Sequence, residues 1–210
     1  PESLLELINV LSKGGTHSTE DLTEDLEATR RSINETTKYG ADLRFIEKRE
    51  EEYGLTDQGF DLHFASEEKD EKKQQELFQN AVKQYDSYKC LLQSLLTEIN
   101  NEADNIDSSS ILKELRTTFG LKEKRNDTLK EAITSFLKTL EAAGCGEYIV
   151  GRRGADTRIE FSAEEFQALQ ELAINDSTNK KDLVGETTQN EENINKDSEG
   201  ENAEQEVSDS

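Results

Sequence analysis

The chain of 210 residues has no methionine, no tryptophan, one proline, two cysteines and two histidines. Aromatic residues make up 6% of it and apolar residues 32%. Each shortage excludes something. No apolar run approaches the roughly 18 residues that cross a bilayer, so no membrane partner is expected. Cys90 and Cys145 lie far apart, in a spacing that suits neither a metal site nor a redox pair. Both read as small buried residues. His17 and His63 stand alone, so no zinc site is expected. There is no nucleophile–base pairing, no paired-histidine motif and no phosphate-binding loop. Gly14 and Gly15 in "SKGGTHS" fall in a turn between two helices and carry no catalytic signal. The expectation is a protein that is not an enzyme and needs no cofactor. Pro1, Glu2 and Ser3 lead straight into an amphipathic helix rather than a signal peptide, which predicts the cytoplasm.

Negative charge is what the chain has in plenty: 47 acidic residues against 25 Lys and Arg, a formal net charge of −22. Such acidity repels nucleic acid and suits a basic partner. It also keeps a protein hydrated in a salt-filled cell, as in extreme halophiles, and then says little about partners. The many carboxylates on otherwise ordinary helices favour the second reading. The charge is not spread evenly. Ile174 to Ser210 holds 11 acidic residues and three lysines, a net of −8 that leaves −14 for residues 1–173. That stretch has no aromatic and almost no aliphatic residue, so burial cannot offset the entropy of ordering it. Residues 174–210 are expected to form a disordered acidic tail.

The rest contains a weak internal repeat. In the first copy, Leu4, Leu5, Ile8 and Leu11 mark one helix face, and Gly14 and Gly15 stop the helix. Ser18, with Asp21 three residues on, opens a short helix to about Leu26. "ATRRSINETTKYGADL" then places Ile33, Thr36, Thr37, Gly40 and Leu43 on one helical face, with Arg30, Arg31, Asn34 and Lys38 opposite. "RFIEK" and "EYGLT" read as two strands about a turn at 49–51. Thr56 and Asp57 open a last helix through Phe64.

The second copy repeats the order. One long helix is expected from Glu71 to Ile99, with Tyr85, Tyr88, Leu92, Leu95 and Ile99 along one face. "SSSILKELRTTFG" gives a short helix capped by a serine and closed by Gly120. "NDTLKEAITSFLKTLEAAG" gives a third, with Leu129, Ala132, Ile133, Phe136, Leu137 and Leu140 as its apolar stripe and Gly144 at its end. Strands "EYIV" and "TRIEF" flank the turn "GRRGAD", and Ser162 with Glu165 makes a capping box for a closing helix.

Helix, short helix, helix, hairpin is the order of a winged helix-turn-helix. Over residues 2–173 the chain resembles a tandem winged-helix protein of the kind common among archaeal and bacterial regulators. The stretches that carry the resemblance are "ATRRSINETTKYGADLRFIEK" with "YGLTDQG", and "TLKEAITSFLKTLEAAGCGEYIVGRRGADTRIEF". The expected fold is mainly α with small two-stranded β-hairpins: a first unit over 1–66, a long connecting helix over 67–100, the remainder of a second unit over 101–173, then the tail. The resemblance implies that each third helix enters the major groove of double-stranded DNA and that each hairpin is a wing.

On that reading the second unit offers a basic surface. Arg152 and Arg153 stand at the wing tip, between Gly151 and Gly154, which would both turn at positive φ. Arg158 lies on the returning strand. Lys122, Lys124 and Arg125 precede the third helix, and Lys130 and Lys138 lie on it. Such grouping suits phosphate neutralisation, although Glu123, Glu131 and Asp156 interrupt it. In the first unit the candidates are Arg30, Arg31, Asn34 and Lys38. Asn34 carries the one amide there able to read adenine bidentately. Its wing, "KREEEY", is short and mostly acidic. The leading expectation is DNA binding in transcriptional or replicon regulation. The alternative is a winged-helix adaptor that binds other proteins in chromosome organisation or a defence complex. The apolar N-terminal half of the long helix, with Leu77, Phe78, Ala81 and Tyr85, must be covered by the first unit or by a second copy in a homodimer.

Overall fold

Leu4, Leu7, Ile8 and Leu11 recur every three or four residues, so one side of a helix is apolar and all four are buried in α1 (Glu2–Leu11). A computed structural model of the chain describes residues 1–99 and 104–174. After α1 come β1 (His17–Ser18), α2 (Thr19–Asp25), α3 (Arg30–Asp42), β2 (Ile46–Arg49), β3 (Glu52–Leu55) and α4 (Asp57–Glu67). The Ser18 hydroxyl accepts from the Asp21 amide while the Asp21 carboxylate accepts from the Ser18 amide, which starts α2 as a reciprocal capping box. Thr29 caps α3 and Thr56 caps α4 in the same manner, each side chain accepting an amide three residues on. β3 sits centrally, antiparallel to both β1 and β2, with Ile46 opposite Leu55 and His17 opposite Tyr53.

The second half repeats this order after one extra helix, α5 (Glu71–Gln84): α6 (Asp86–Glu98), β4 (Asn105–Asp107), α7 (Ser108–Thr117), α8 (Asn126–Ala142), β5 (Glu147–Ile149), β6 (Arg158–Glu160) and α9 (Ala163–Ala173). β6 is central, antiparallel to β4 and β5, with Ile159 opposite both Ile106 and Tyr148. The Ser162–Glu165 capping box opens α9. The chain is thus mainly helical with two small three-stranded antiparallel sheets, and a single buried cluster runs through both halves. None of the described helices is long and apolar enough to cross a membrane.

Four expectations need correction. The single helix from Glu71 to Ile99 is two. Tyr85 leaves the helical region at φ −93° and ψ 96°, and α6 starts at the next residue. There is no Gly or Pro at the break. Its cause is packing: α5 lies on α4 and α8, α6 lies on α7 and α9, and one straight rod would not follow both paths. The apolar face of α5 is covered inside the chain, where Leu77, Phe78, Ala81 and Val82 are buried, so it offers no bare stripe to a second copy.

The hairpins, expected as two-stranded, each gain a third strand. β1 and β4 hold only two and three residues, too few to show alternation, and they exist because β3 and β6 have an edge left to pair. α7 is capped by the Asp107 carboxylate, which accepts from the Ser110 amide, rather than by a serine. Cys145 is buried, and burial pushes its thiol up to about 12; Cys90 is exposed. The core face of α6 is centred on Leu91, Leu92 and Leu95, and Cys90 points off it. The tail expected from residue 174 onward lies outside the described residues, except for Ile174 itself.

Candidate nucleic-acid interface

α8 follows an open, polar turn. Lys122, Lys124 and Arg125 are exposed there. Arg125 is loosely paired with Asp127 at 3.9 Å, and no carboxylate lies within ion-pair distance of Lys122 or Lys124 among the described residues. Lys130 is exposed in the second turn of α8. Lys138, two turns later, is half-buried, its ammonium 5.7 Å from the centre of the Tyr148 ring. This cation–π contact holds it against the base of the hairpin.

The hairpin tip between β5 and β6 carries exposed Arg152 and Arg153, with no acidic partner among the described residues. Arg153 is left-handed at φ 54° and Gly154 at φ 91°. Gly151, expected at positive φ, is not there. It is needed for a different reason: a Cβ would collide with the Ala155 carbonyl and the backbone of 156–157. The Gly151 amide donates to the Thr157 hydroxyl at 3.1 Å, and the Ser108 amide donates to the Thr157 carbonyl at 2.8 Å. These bonds tie the tip to the start of α7. Asp156 accepts from the Ser109 hydroxyl rather than facing the tip arginines. Arg158 is committed, its guanidinium held by Glu160 at 2.7 Å.

The first half spends its cations. Arg30 pairs with Glu20 at 3.2 Å, and Arg31 pairs with Glu35 at 2.6 Å and Glu131 at 3.5 Å. In the hairpin, Lys48 pairs with Glu51 at 3.6 Å and Arg49 with Glu47. Asn34 and Lys38 are exposed, and Lys38 has no ion-pair partner among the described residues.

Folding also brings α3 and α8 together. Besides the Arg31–Glu131 pair, the Tyr39 hydroxyl meets the Thr139 hydroxyl at 2.6 Å. The two contacts occur in the same order on both helices, so α3 and α8 run alongside each other in one direction. Between them lies a cleft of about 770 Å³ bounded by Lys38, Tyr39, Lys130 and Ser135, with Tyr85 and Tyr88 from the α5–α6 junction. A smaller depression of about 250 Å³ continues past Tyr39 to Ser32 and Lys138. Tyr88 packs edge-on against both Tyr85 and Phe136, with centroids 4.8 and 5.1 Å away. Burial pushes the Tyr39 phenol up to about 12 and raises Tyr88 too, so both stay neutral. Tyr39, Tyr85, Tyr88 and Thr139 were not among the sequence candidates. The nearest sequence signal is the aromatic pair Tyr85 and Tyr88, which reads as ordinary core.

Compared with known proteins, the chain matches no family model, no curated protein and no solved structure.

Proposed function

We propose that each half is a winged helix-turn-helix unit and that the chain is a non-catalytic, DNA-binding protein of the regulator type. The fold reading is supported by the repeated order of helix, short strand, two helices and hairpin, with the short strand added to the hairpin's edge. One observation carries the DNA reading: Arg152 and Arg153 are exposed at a hairpin tip without an acidic partner among the described residues, in a chain where most other arginines are paired. Lys122, Lys124 and Lys130 add uncommitted charge to the same half. Phosphate neutralisation by such groups supplies the sequence-independent part of DNA affinity. α8 would reach a major groove by its first turns, Asn126 to Lys130. A groove about 12 Å wide takes one helix of about 10–12 Å with its side chains, and α3 meets α8 from Glu131 onward. Arg158, Lys138, Arg30 and Arg31 then act in the fold rather than on DNA, while Asn34 and Lys38 remain available.

The adaptor reading has its own observation. The Tyr39–Thr139 and Arg31–Glu131 contacts turn the two third helices toward each other, as a protein-docking module would tolerate and a two-groove reader would not. The deciding experiment is the double variant Arg152→Glu, Arg153→Glu in a duplex-binding titration over a range of salt. DNA binding predicts a loss of affinity for specific and random duplexes alike, and a salt slope flatter by about 0.9 per lost phosphate contact. Unchanged affinity in the folded variant leaves the adaptor.

A further inference from the structure

The charges around the cleft between α3 and α8 are unequally committed. Its carboxylates already have donors: Arg31 serves Glu35 at 2.6 Å and Glu131 at 3.5 Å, and the Tyr85 hydroxyl donates to Asp42 at 3.4 Å. Lys38 on the α3 wall and Lys130 on the α8 wall have no carboxylate within ion-pair distance among the described residues, yet both line this one cleft. Tyr39, Tyr85 and Tyr88 give it aromatic surface. Its volume of about 770 Å³ falls in the usual range of small-molecule sites, about 300–1,000 Å³. The Tyr39–Thr139 and Arg31–Glu131 contacts join the walls and so set the width.

The geometry points to a binding site for a small aromatic carboxylate, its ring on Tyr85 and Tyr88 and its carboxylate between Lys38 and Lys130. A compact inorganic anion would satisfy the ammoniums but leave the tyrosine surface wet. A neutral aromatic would cover the tyrosines but leave both ammoniums unpaired. A ligand with both parts uses the two ammoniums and the tyrosine surface together. Lys38 and Lys130 are shared with the proposed DNA interface, but the cleft itself is formed by α3, α8 and the α5–α6 junction without DNA.

Calorimetric titration of the full chain with 2-naphthoate, and with 2-naphthylmethanol as its neutral counterpart, tests this at moderate ionic strength. Saturable binding of one naphthoate is expected, at least tenfold tighter than the alcohol. The exposed pair Lys38→Gln, Lys130→Gln should weaken naphthoate at least tenfold. The control pair Lys122→Gln, Lys124→Gln removes the same charge outside the cleft and should leave naphthoate affinity unchanged. Absence of saturable binding, equal affinity for the alcohol, or an equal loss in the control pair each overturns the site. DNA affinity is read separately: its loss in the control pair with naphthoate binding intact would bear on the interface above and not on the cleft.

Discussion

The two hairpins share a topology and differ in what becomes of their cations. In the first, Lys48 and Arg49 are matched by Glu51 and Glu47 on the same hairpin. In the second, Arg152 and Arg153 stand at the tip, and Asp156 in the same turn accepts from Ser109. α3 and α8 differ less: the arginines of α3, Arg30 and Arg31, are paired, but Lys38 on α3 and Lys130 on α8 are both without an ion-pair partner among the described residues. Exposed pairs of this kind contribute little to stability, about 0–1 kcal/mol. Their effect is on the outward field. In so acidic a chain, leaving a few cations uncommitted marks one surface, while the architecture stays the same.

The largest effect expected comes from joining the halves rather than separating them. Phe78 on α5 is buried, edge-on to Phe45 of the first half at 5.3 Å between centroids. α5 also packs on α8. Phe78→Ala should cost about 3–5 kcal/mol, and denaturant unfolding should remain one transition that shifts as a whole. Two transitions with only one shifted would show that the halves fold independently.

Next in size is the contrast between the hairpins. Reversing Arg152 and Arg153 should weaken duplex binding about tenfold or more at moderate salt, whereas Lys48→Glu with Arg49→Glu should leave it within about twofold, since those cations are already neutralised. Equal losses from both double variants would erase the asymmetry and point to net charge alone.

Smaller still are the two capping boxes, one in each half. Ser18→Ala and Ser162→Ala should each cost about 1 kcal/mol. A much larger cost at one of them, by thermal or urea unfolding, would mean that its serine does more than start a helix.

The smallest effect is specific to the second half. Glu114 on α7 is the one buried carboxylate among the described residues. Hydrogen bonds from Ser94 first, then Thr118, hold its carboxyl below the usual carboxylate range. Because the folded state favours the ionised form, this stabilisation is complete above the ordinary value of about 4.3 and fades as pH falls through the lower folded one. Glu114→Gln should therefore make the acid side of the stability–pH curve shallower and leave its neutral plateau flat. An unaltered acid limb would remove Glu114 from the proton balance of folding.

The order of elements was legible because most of it is written within one turn of chain. The 3.6-residue stripe of Leu129, Ile133, Phe136 and Leu140 makes α8 apolar on one side wherever it sits. Ser18 with Asp21 and Ser162 with Glu165 need only three residues to begin a helix. Gly144 at φ 69° ends α8 because a left-handed residue is required there. The candidate interface was legible in part for the same reason: Arg152 and Arg153 sit at a turn that the sequence itself announces.

What the tertiary structure alone decided involves partners far apart. β1 and β4 are strands only because another strand's edge reaches them. Tyr85 breaks a helix because α5 and α6 pack on different neighbours. Whether an arginine is free depends on what folds against it: Arg31 meets Glu131 across 100 residues of chain, and Tyr39 meets Thr139 across the same separation. From sequence, Arg31 and Arg153 look alike. Local periodicity and capping act over three or four residues and can be read from neighbouring positions in the chain. Ion pairing, exposure and the cleft between α3 and α8 arise only when distant segments share a surface, and no spacing along the chain encodes that distance.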